Sequence, residues 1–332
     1  MKKVLITGAS GFIGKFLVDE ALKRDFLIYV AVRKTSKTEH LSKKNIQIVE
    51  FDFSDICKLN LLIYTLPQFD YIIHNAGLTK SLKKEQYFEV NCQYTKNLIE
   101  VLKHQNKIPK KFLFISSLAA VGPGDNKSPN PIHLNSTPKP VTSYGKSKLE
   151  AEKYIVEKGE IPYIIIRPTA VYGPGEKDIF ESIKLINKGF DFQLGLKNQH
   201  LTFIYVKDLA TLVLDAMESQ QFNKTYFISD GNLYNSFDLG NSVSKSLNRK
   251  IVHIPIPVWL AKTIAAFTEI SSRFSKNASA LNIEKVNELS AVNWNCDIQP
   301  SKSDFNFRPE YNLQKGMNET IEWYQKQGWL KK

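Results

Sequence analysis

Short apolar runs alternate with stretches of helical periodicity over the first half of the chain, the pattern of βαβ units around a parallel sheet. Lys3 to Ile6 reads as a first strand, followed by a glycine-rich turn and a helix to about Lys23. Leu27 to Val32, Ile46 to Phe51 and Tyr71 to His74 read as the second to fourth strands. Tyr87 to His104 carries Phe88, Cys92, Leu98, Val101 and Leu102 at helical spacing, which predicts a helix. Phe112 to Ile115 reads as a fifth strand, Tyr144 to Glu157 as a helix and Tyr163 to Arg167 as a sixth strand. Runs this rich in β-branched and apolar residues suit strands buried on both faces.

Gly122 to Thr142 holds five prolines and two glycines, which predicts a long surface loop near the functional end of the sheet. Beyond Arg167 the pattern is less regular. Phe203 to Val206 and Thr225 to Ser229 read as strands, Val258 to Phe274 and Met317 to Trp329 as helices. The expected fold is therefore α/β, a Rossmann-type doubly wound parallel sheet with a smaller, interleaved C-terminal substrate lobe. Residues 1–168 form the dinucleotide-binding domain of this scheme. Residues 169–332 form mainly the substrate lobe, with segments around 200–230 returning to the sheet.

Composition narrows the function. The net charge of +12 raises nucleic acid as a partner, but the lysines come only as scattered pairs (Lys43-Lys44, Lys83-Lys84, Lys110-Lys111) without interleaved aromatics. A solvated basic surface is the better reading, with a field that helps recruit an anionic cofactor. Three cysteines (Cys57, Cys92, Cys296) and six histidines are widely spaced, so neither a disulfide framework nor a metal site is expected. The apolar run after Lys2-Lys3 stops at Thr7-Gly8, short of the roughly 7–15 residues of a secretory core. No stretch reaches the ~20 apolar residues of a membrane span. These features predict a soluble cytoplasmic protein with no nucleic-acid partner and no stable membrane insertion.

The turn Thr7-Gly8-Ala9-Ser10-Gly11-Phe12-Ile13-Gly14 follows the first strand and opens a helix. Gly8 permits the turn, Gly11 lets a pyrophosphate approach the backbone, and Gly14 lets the helix pack against the sheet. The second strand ends in Arg33-Lys34, where an arginine accommodates the 2′-phosphate of NADP and an acidic residue would hold the ribose of NAD. NADP is therefore the preferred cofactor, with NAD possible. Ser117 ends the fifth strand, and Tyr144 and Lys148 share a helix face at i, i+4. A tyrosine with a pKa of about 10 is a poor base. The neighbouring ammonium, together with oxidised nicotinamide, is expected to favour its phenolate, while Ser117 hydrogen-bonds the reacting oxygen.

With these motifs the chain resembles an extended short-chain dehydrogenase/reductase, of the group that includes the NAD-dependent epimerase/dehydratase family. The likeness covers nearly the whole chain. Asp52-Phe53 is similar to the family's adenine-contacting pair, and His74-Asn75-Ala76-Gly77 to the turn that lines the cofactor. Asn91 matches the helix asparagine that supports a proton-relay water, and Arg167-Pro168-Thr169 through Tyr172-Gly173-Pro174 resembles the segment beside the nicotinamide. Asn306 stands where many relatives have glycine; asparagine tolerates the left-handed backbone that such a turn requires. The resemblance also implies a homodimer built on the Tyr87–His104 and Tyr144 helices, with Phe88, Cys92, Leu98 and Leu102 as apolar positions.

Three departures point away from nucleotide sugars. Leu201, beside His200, stands where many sugar-nucleotide members bind a diphosphate with arginine. Leu118 and Ala119 replace the acidic pair of the 4,6-dehydratases, and Val121 replaces a usual tyrosine. The Ser116 to Pro123 segment is similar to the dihydroflavonol-reductase and 3β-hydroxysteroid-dehydrogenase-like branch. The reading is hydride transfer between NADP(H) and an apolar ketone or secondary alcohol as small-molecule substrate, with Ser117, Tyr144, Lys148 and Asn91 catalytic. Thr79, Lys80, Leu118, Val121, Tyr172, His200 and Leu201 are expected at the substrate, and the face of Leu260, Ile264 and Phe267 reads as core or pocket lining. Two alternatives stay open: a nucleotide-sugar epimerase or dehydratase gripping its diphosphate with Lys80 or His200, and a non-catalytic NADP-binding protein.

Overall fold

The computed structural model describes residues 1–42, 45–272 and 282–330, so Lys43-Lys44 and Phe274 lie outside the described residues. Along the first half run β1 (Lys2–Thr7), α1 (Phe12–Ala21), β2 (Phe26–Val32), β3 (Gln47–Glu50), α2 (Ile56–Thr65), β4 (Tyr71–His74), α3 (Lys84–Phe88), α4 (Tyr94–His104), β5 (Lys111–Ile115), α5 (Ser143–Lys158) and β6 (Tyr163–Pro168). The second half adds β7 (Ala170–Tyr172), α6 (Asp178–Asn187), β8 (Phe190–Leu194), β9 (Phe203–Tyr205), α7 (Val206–Glu218), β10 (Lys224–Ile228), α8 (Asp238–Leu247), β11 (Val252–Ile256), α9 (Val258–Ser272), α10 (Ile283–Ser290), α11 (Gln299–Phe305) and α12 (Leu313–Lys326).

Seven strands form one parallel sheet in the order β10-β6-β5-β4-β1-β2-β3. Side chains alternate faces along a strand, so β1 sends Val4 and Ile6 to one core layer with α1 and α7, and Leu5 to the opposite layer with α2, α4 and α5. Strand order reverses between β1 and β4, and the crevice beyond the carboxyl ends there is where such sheets bind ligands. Thr7 and His74 are register partners at that point.

Four readings need correction. The Tyr87–His104 helix is broken: Glu89–Gln93 adopts one wide π turn between α3 and α4. Cys92, Leu98 and Leu102 are buried against the sheet, so they cannot form a dimer face. Phe203–Tyr205 pairs with β7 in a separate two-stranded sheet, while β10 joins the main one. The 122–142 segment is not simply a surface loop, because Ile132 is buried and bridges Cys296, and Asn293 Nδ2 donates to the Ser128 and Asn130 carbonyls. Asn306 adopts the left-handed conformation, φ +50°, at the end of α11.

Candidate active site

The glycine turn sits at the strand-order reversal. Gly8 has φ +68°, and a Cβ there would lie 2.7 Å from the Asn75 carbonyl oxygen. A Cβ on Gly14 would lie 2.1 Å from the Gly8 carbonyl oxygen, so no other residue lets α1 abut the turn this closely. Ser10, Phe12 and Ile13 are half-buried around the exposed Gly11. Gly11 opens α1 with no side-chain cap and no acidic residue in the first turn, leaving its amides and positive dipole end for an anion.

A buried polar chain ties this turn to the helices. Thr95 Oγ1 donates to the Asn91 carbonyl (2.9 Å), so it must accept from His74 Nε2 (3.0 Å). His74 Nδ1 then accepts from Thr7 Oγ1 (2.9 Å), which accepts from the Ala76 amide (3.0 Å). This order fixes the Nε2–H tautomer of a neutral imidazole. Burial, with the Lys148 charge adding to it, pushes the His74 pKa down to about 3. Asn91 sits in the π turn and clamps two segments: its Oδ1 accepts from the Leu78 amide (2.7 Å), and its Nδ2 donates to the Leu78 carbonyl (3.0 Å) and Ser147 Oγ (2.9 Å). A π turn at such a place is typical of functional sites.

Helix α5 supplies the chemistry in three successive turns. Its N-terminus is capped by Thr142 and by Glu284 of α10, which accepts from the Ser143 amide (2.7 Å) and hydroxyl (2.8 Å). Tyr144 is half-buried below α10 with Tyr87 edge-on at 6.4 Å. Burial pushes its phenol up to about 12, while a hydrogen bond with Ser117 pulls it down. Lys148 is 4% exposed; its ammonium donates to the Ile115 carbonyl (2.7 Å) and lies 4.5 Å over the Phe114 ring. Desolvation dominates both groups and the ammonium is engaged by the Ile115 carbonyl, so the cation by itself does not bring the phenol toward neutrality.

One turn further, Glu152 was not anticipated, although 144, 148 and 152 share one helical face. It grips buried Arg167 through Nε (3.0 and 3.2 Å) and Nη2 (2.6 Å) and accepts from Ser116 Oγ. Burial lowers the Lys148 pKa to about 8, with Glu152 opposing. Between pH 8 and the ordinary 10.5 the unfolded chain holds this proton more tightly than the fold does. Stability should therefore rise with pH through that window, by up to about 3 kcal/mol. Thermal unfolding at about pH 7.5 and about pH 10 checks this, with Lys148→Met expected to lose the rise; identical pH slopes in both proteins would contradict it.

Other anticipated residues divide into two groups. Arg33 and Lys34 are exposed at the end of β2, and no carboxylate pairs with Arg33 among the described residues. Asp52 is exposed and lowered by hydrogen bonds from Ser54, whereas the Phe53 ring is buried against Phe51, His74 and Tyr94. Asn75 Nδ2 donates to the Gly8 carbonyl (3.4 Å). Gly77 is exposed, and a Cβ on it would lie 3.1 Å from Asn91 Oδ1 and 3.4 Å from Lys148 Nζ. Pro168 ends β6, and the hydroxyl of Thr169, the next residue, is buried without a hydrogen-bond partner among the described residues.

The substrate set fares worse. Leu118 and Val121 are core residues packed with Ile132, Phe227, Cys296 and Ile298, because the turn after Ser117 folds them inward. Tyr172 is fully buried with its hydroxyl on the Asn312 carbonyl (3.0 Å). Leu201 packs against a different core, formed by Tyr172, Phe203 and Tyr205 among others, and pairs its backbone with Tyr234. Thr79 is exposed, Lys80 is ion-paired with Asp178 of α6, and His200 lines a cavity of 180 Å³ with Asn126 to Pro129. Among the described residues no cluster could hold a metal ion.

The family model for the NAD dependent epimerase/dehydratase family matches residues 4–229. The UDP-glucose 4-epimerase of Vibrio cholerae is 26% identical, with 97% of this chain and 95% of that protein covered. The ceramide reductase of Caulobacter vibrioides is 24% identical over 99% of this chain and 96% of its own length. Among solved structures, UDP-glucose 4-epimerase with UDP-glucose from Thermotoga maritima matches with TM-score 0.76 and 21% identity, covering 98% of this chain and 99% of that one, a likeness of fold.

Proposed function

The chain belongs to the NAD-dependent epimerase/dehydratase family, and from that membership we propose that it transfers hydride between NADP(H) and an apolar ketone or secondary alcohol. The observation that carries this reading is the placing of the Lys148 ammonium in front of Gly77, one α5 turn from Tyr144 and at the carboxyl end of β5 that Ser117 follows, next to the strand-order reversal where the glycine turn lies. The residues fit a dinucleotide. Gly8 and Gly14 let the turn close tightly on its own backbone, Gly11 leaves the uncapped N-terminus of α1 exposed, and Thr169 offers a buried hydroxyl that lacks a partner among the described residues. Arg33, Lys34, Asp52 and Asn75 to Gly77 would hold the adenosine half, and Tyr144, Lys148 and Thr169 the nicotinamide half. The bound cofactor supplies or accepts the hydride. Tyr144 gives its proton to the developing alkoxide, and Ser117 donates to that oxygen as its charge grows. Asn91 and Ser147 keep α5 and the Gly77–Leu78 backbone in register, so Lys148 stays next to the space in front of Gly77.

Cofactor choice follows from Arg33. A charge-assisted contact to a 2′-phosphate contributes about 1.5–3 kcal/mol, so NADP should bind roughly ten- to a hundred-fold more tightly than NAD. Fluorescence titration of both cofactors checks this, with the preference lost in Arg33→Ala. Equal affinities in the unaltered protein would overturn it.

A second reading, nucleotide-sugar epimerisation, is favoured by the likeness to UDP-glucose 4-epimerase. Against it, Lys80 is already paired with Asp178 and Leu201 is packed in a core, which leaves His200 of the cations considered for a diphosphate. An epimerase keeps its cofactor through turnover, so mass spectrometry of what co-purifies separates the two.

A further inference from the structure

Strands β8 and β11 pair in parallel, and their polarity is inverted. The face turned inward holds Asp191 and Gln193, with His253 bonded to Asp191 (2.8 Å). The face turned outward holds Phe190, Phe192 and Val252, and the two phenylalanine rings stack at 6.3 Å. Helix α9 repeats the inversion. Its small residues Ala261 and Ala265 are buried, while Trp259 and Phe267 are each 69% exposed and Leu260 and Ile264 are exposed beside them. A buried face made of polar groups and alanines, with the aromatics outside, is the reverse of an ordinary surface element.

The two exposed faces are joined. Leu194 and Ile256 pack on the Ala261, Ala265 and Val286 cluster, and a 440 Å³ cavity lined by Leu194, Leu196, Pro257, Val258 and Trp259 runs between strand ends and helix. Segments 187–198 and 249–269 contain five cations (Lys188, Lys197, Arg249, Lys250, Lys262) and two carboxylates, Asp191 and Glu269. All five are exposed without a carboxylate partner among the described residues, whereas Asp191 is buried and engaged and the half-buried Glu269 accepts from the Ile283 amide (3.0 Å). An apolar ridge set among free cations complements an anionic lipid interface, where headgroups meet the cations and the acyl boundary takes the aromatics. A second copy would bring two like-charged surfaces together. Among the described residues no helix is long and apolar enough to cross a membrane, so the contact would be interfacial.

We propose that this face docks the protein on the surface of an anionic phospholipid bilayer, with Trp259 and Phe267 inserted at the headgroup boundary. Helix α10 links the face to the chemistry: Ser290 lines the cavity, and Glu284 binds Ser143 beside Tyr144. Six residues at about 1.5 Å each span about 9 Å. A membrane-resident apolar ketone or alcohol then reaches Tyr144 from the docked side, a route that rests on the reductase reading, whereas the docking itself does not.

Flotation with vesicles tests the docking without substrate or cofactor. Vesicles of mixed phosphatidylglycerol and phosphatidylcholine should carry the protein, with at least about ten-fold weaker binding to phosphatidylcholine alone. Trp259→Ser with Phe267→Ser should weaken binding by about ten-fold or more at an unchanged melting temperature, since both side chains are exposed. Lys188→Glu with Lys250→Glu should remove the preference for anionic vesicles. Absence of binding, equal binding to neutral vesicles, or binding unaffected by the serine substitutions would overturn the proposal. So would a fall in molecular mass by light scattering on the serine substitutions, which would assign the face to a second copy.

Discussion

Tyr144→Phe is expected to lower turnover by about 10²–10⁴-fold while cofactor affinity changes little. The phenol is held protonated well above neutral pH, pushed to about 12 by its surroundings, so it stands ready as a proton donor in the reducing direction. The substitution removes one oxygen and leaves the ring, which keeps its edge contact with Tyr87. Neither the Gly8–Gly14 turn nor the Thr7–His74–Thr95 chain depends on that hydroxyl. Steady-state kinetics beside a cofactor titration read the two effects separately. Wild-type turnover in the variant would remove Tyr144 from the chemistry.

Glu152→Ala should have the largest effect on stability. Arg167 is buried with Glu152 as its only carboxylate among the described residues and the Phe227 ring at 5.5 Å. Removing one partner of a buried ion pair leaves the other charge without compensation, at a cost of about 3–5 kcal/mol. Ser116 loses an acceptor in the same step. Replacing both residues by methionine should recover part of the loss, because the uncompensated charge is gone. Denaturant unfolding measures both. A loss below about 1 kcal/mol for Glu152→Ala would mean that Arg167 does not rely on this carboxylate.

How much of this was legible in the sequence depends on where the cause of each feature lies. Strands β1, β2, β4 and β5 were readable to within a residue, because strands buried on both faces are written as unbroken apolar runs. The glycine turn was readable because its cause is local: one positive φ and one close approach. Helix α2 was missed because Ile56, Leu61 and Tyr64 are exposed apolar residues that blur the period set by Leu59 and Ile63. The break at Glu89–Gln93 could not be read locally, since Asn91 is held by Leu78 and Ser147 from other parts of the chain. Leu118, Val121 and Tyr172 were placed by motif position, which says nothing about side-chain direction. Glu152 was within reach, one more step of the spacing that identified Tyr144 and Lys148. The inverted polarity of β8, β11 and α9 was not, because an apolar stripe looks the same in sequence whether it faces core or solvent.

The most direct test of the account is the fate of the hydride. The protein is incubated with NADPH bearing deuterium at its transferable position, against a panel of apolar ketones and of UDP- and dTDP-sugars, and the products are analysed by mass spectrometry. The account predicts deuterium on the carbinol carbon of an apolar alcohol, with one cofactor oxidised per product and no label transferred by Tyr144→Phe. Interconversion of a nucleotide sugar with no deuterium gained and no cofactor consumed would contradict it.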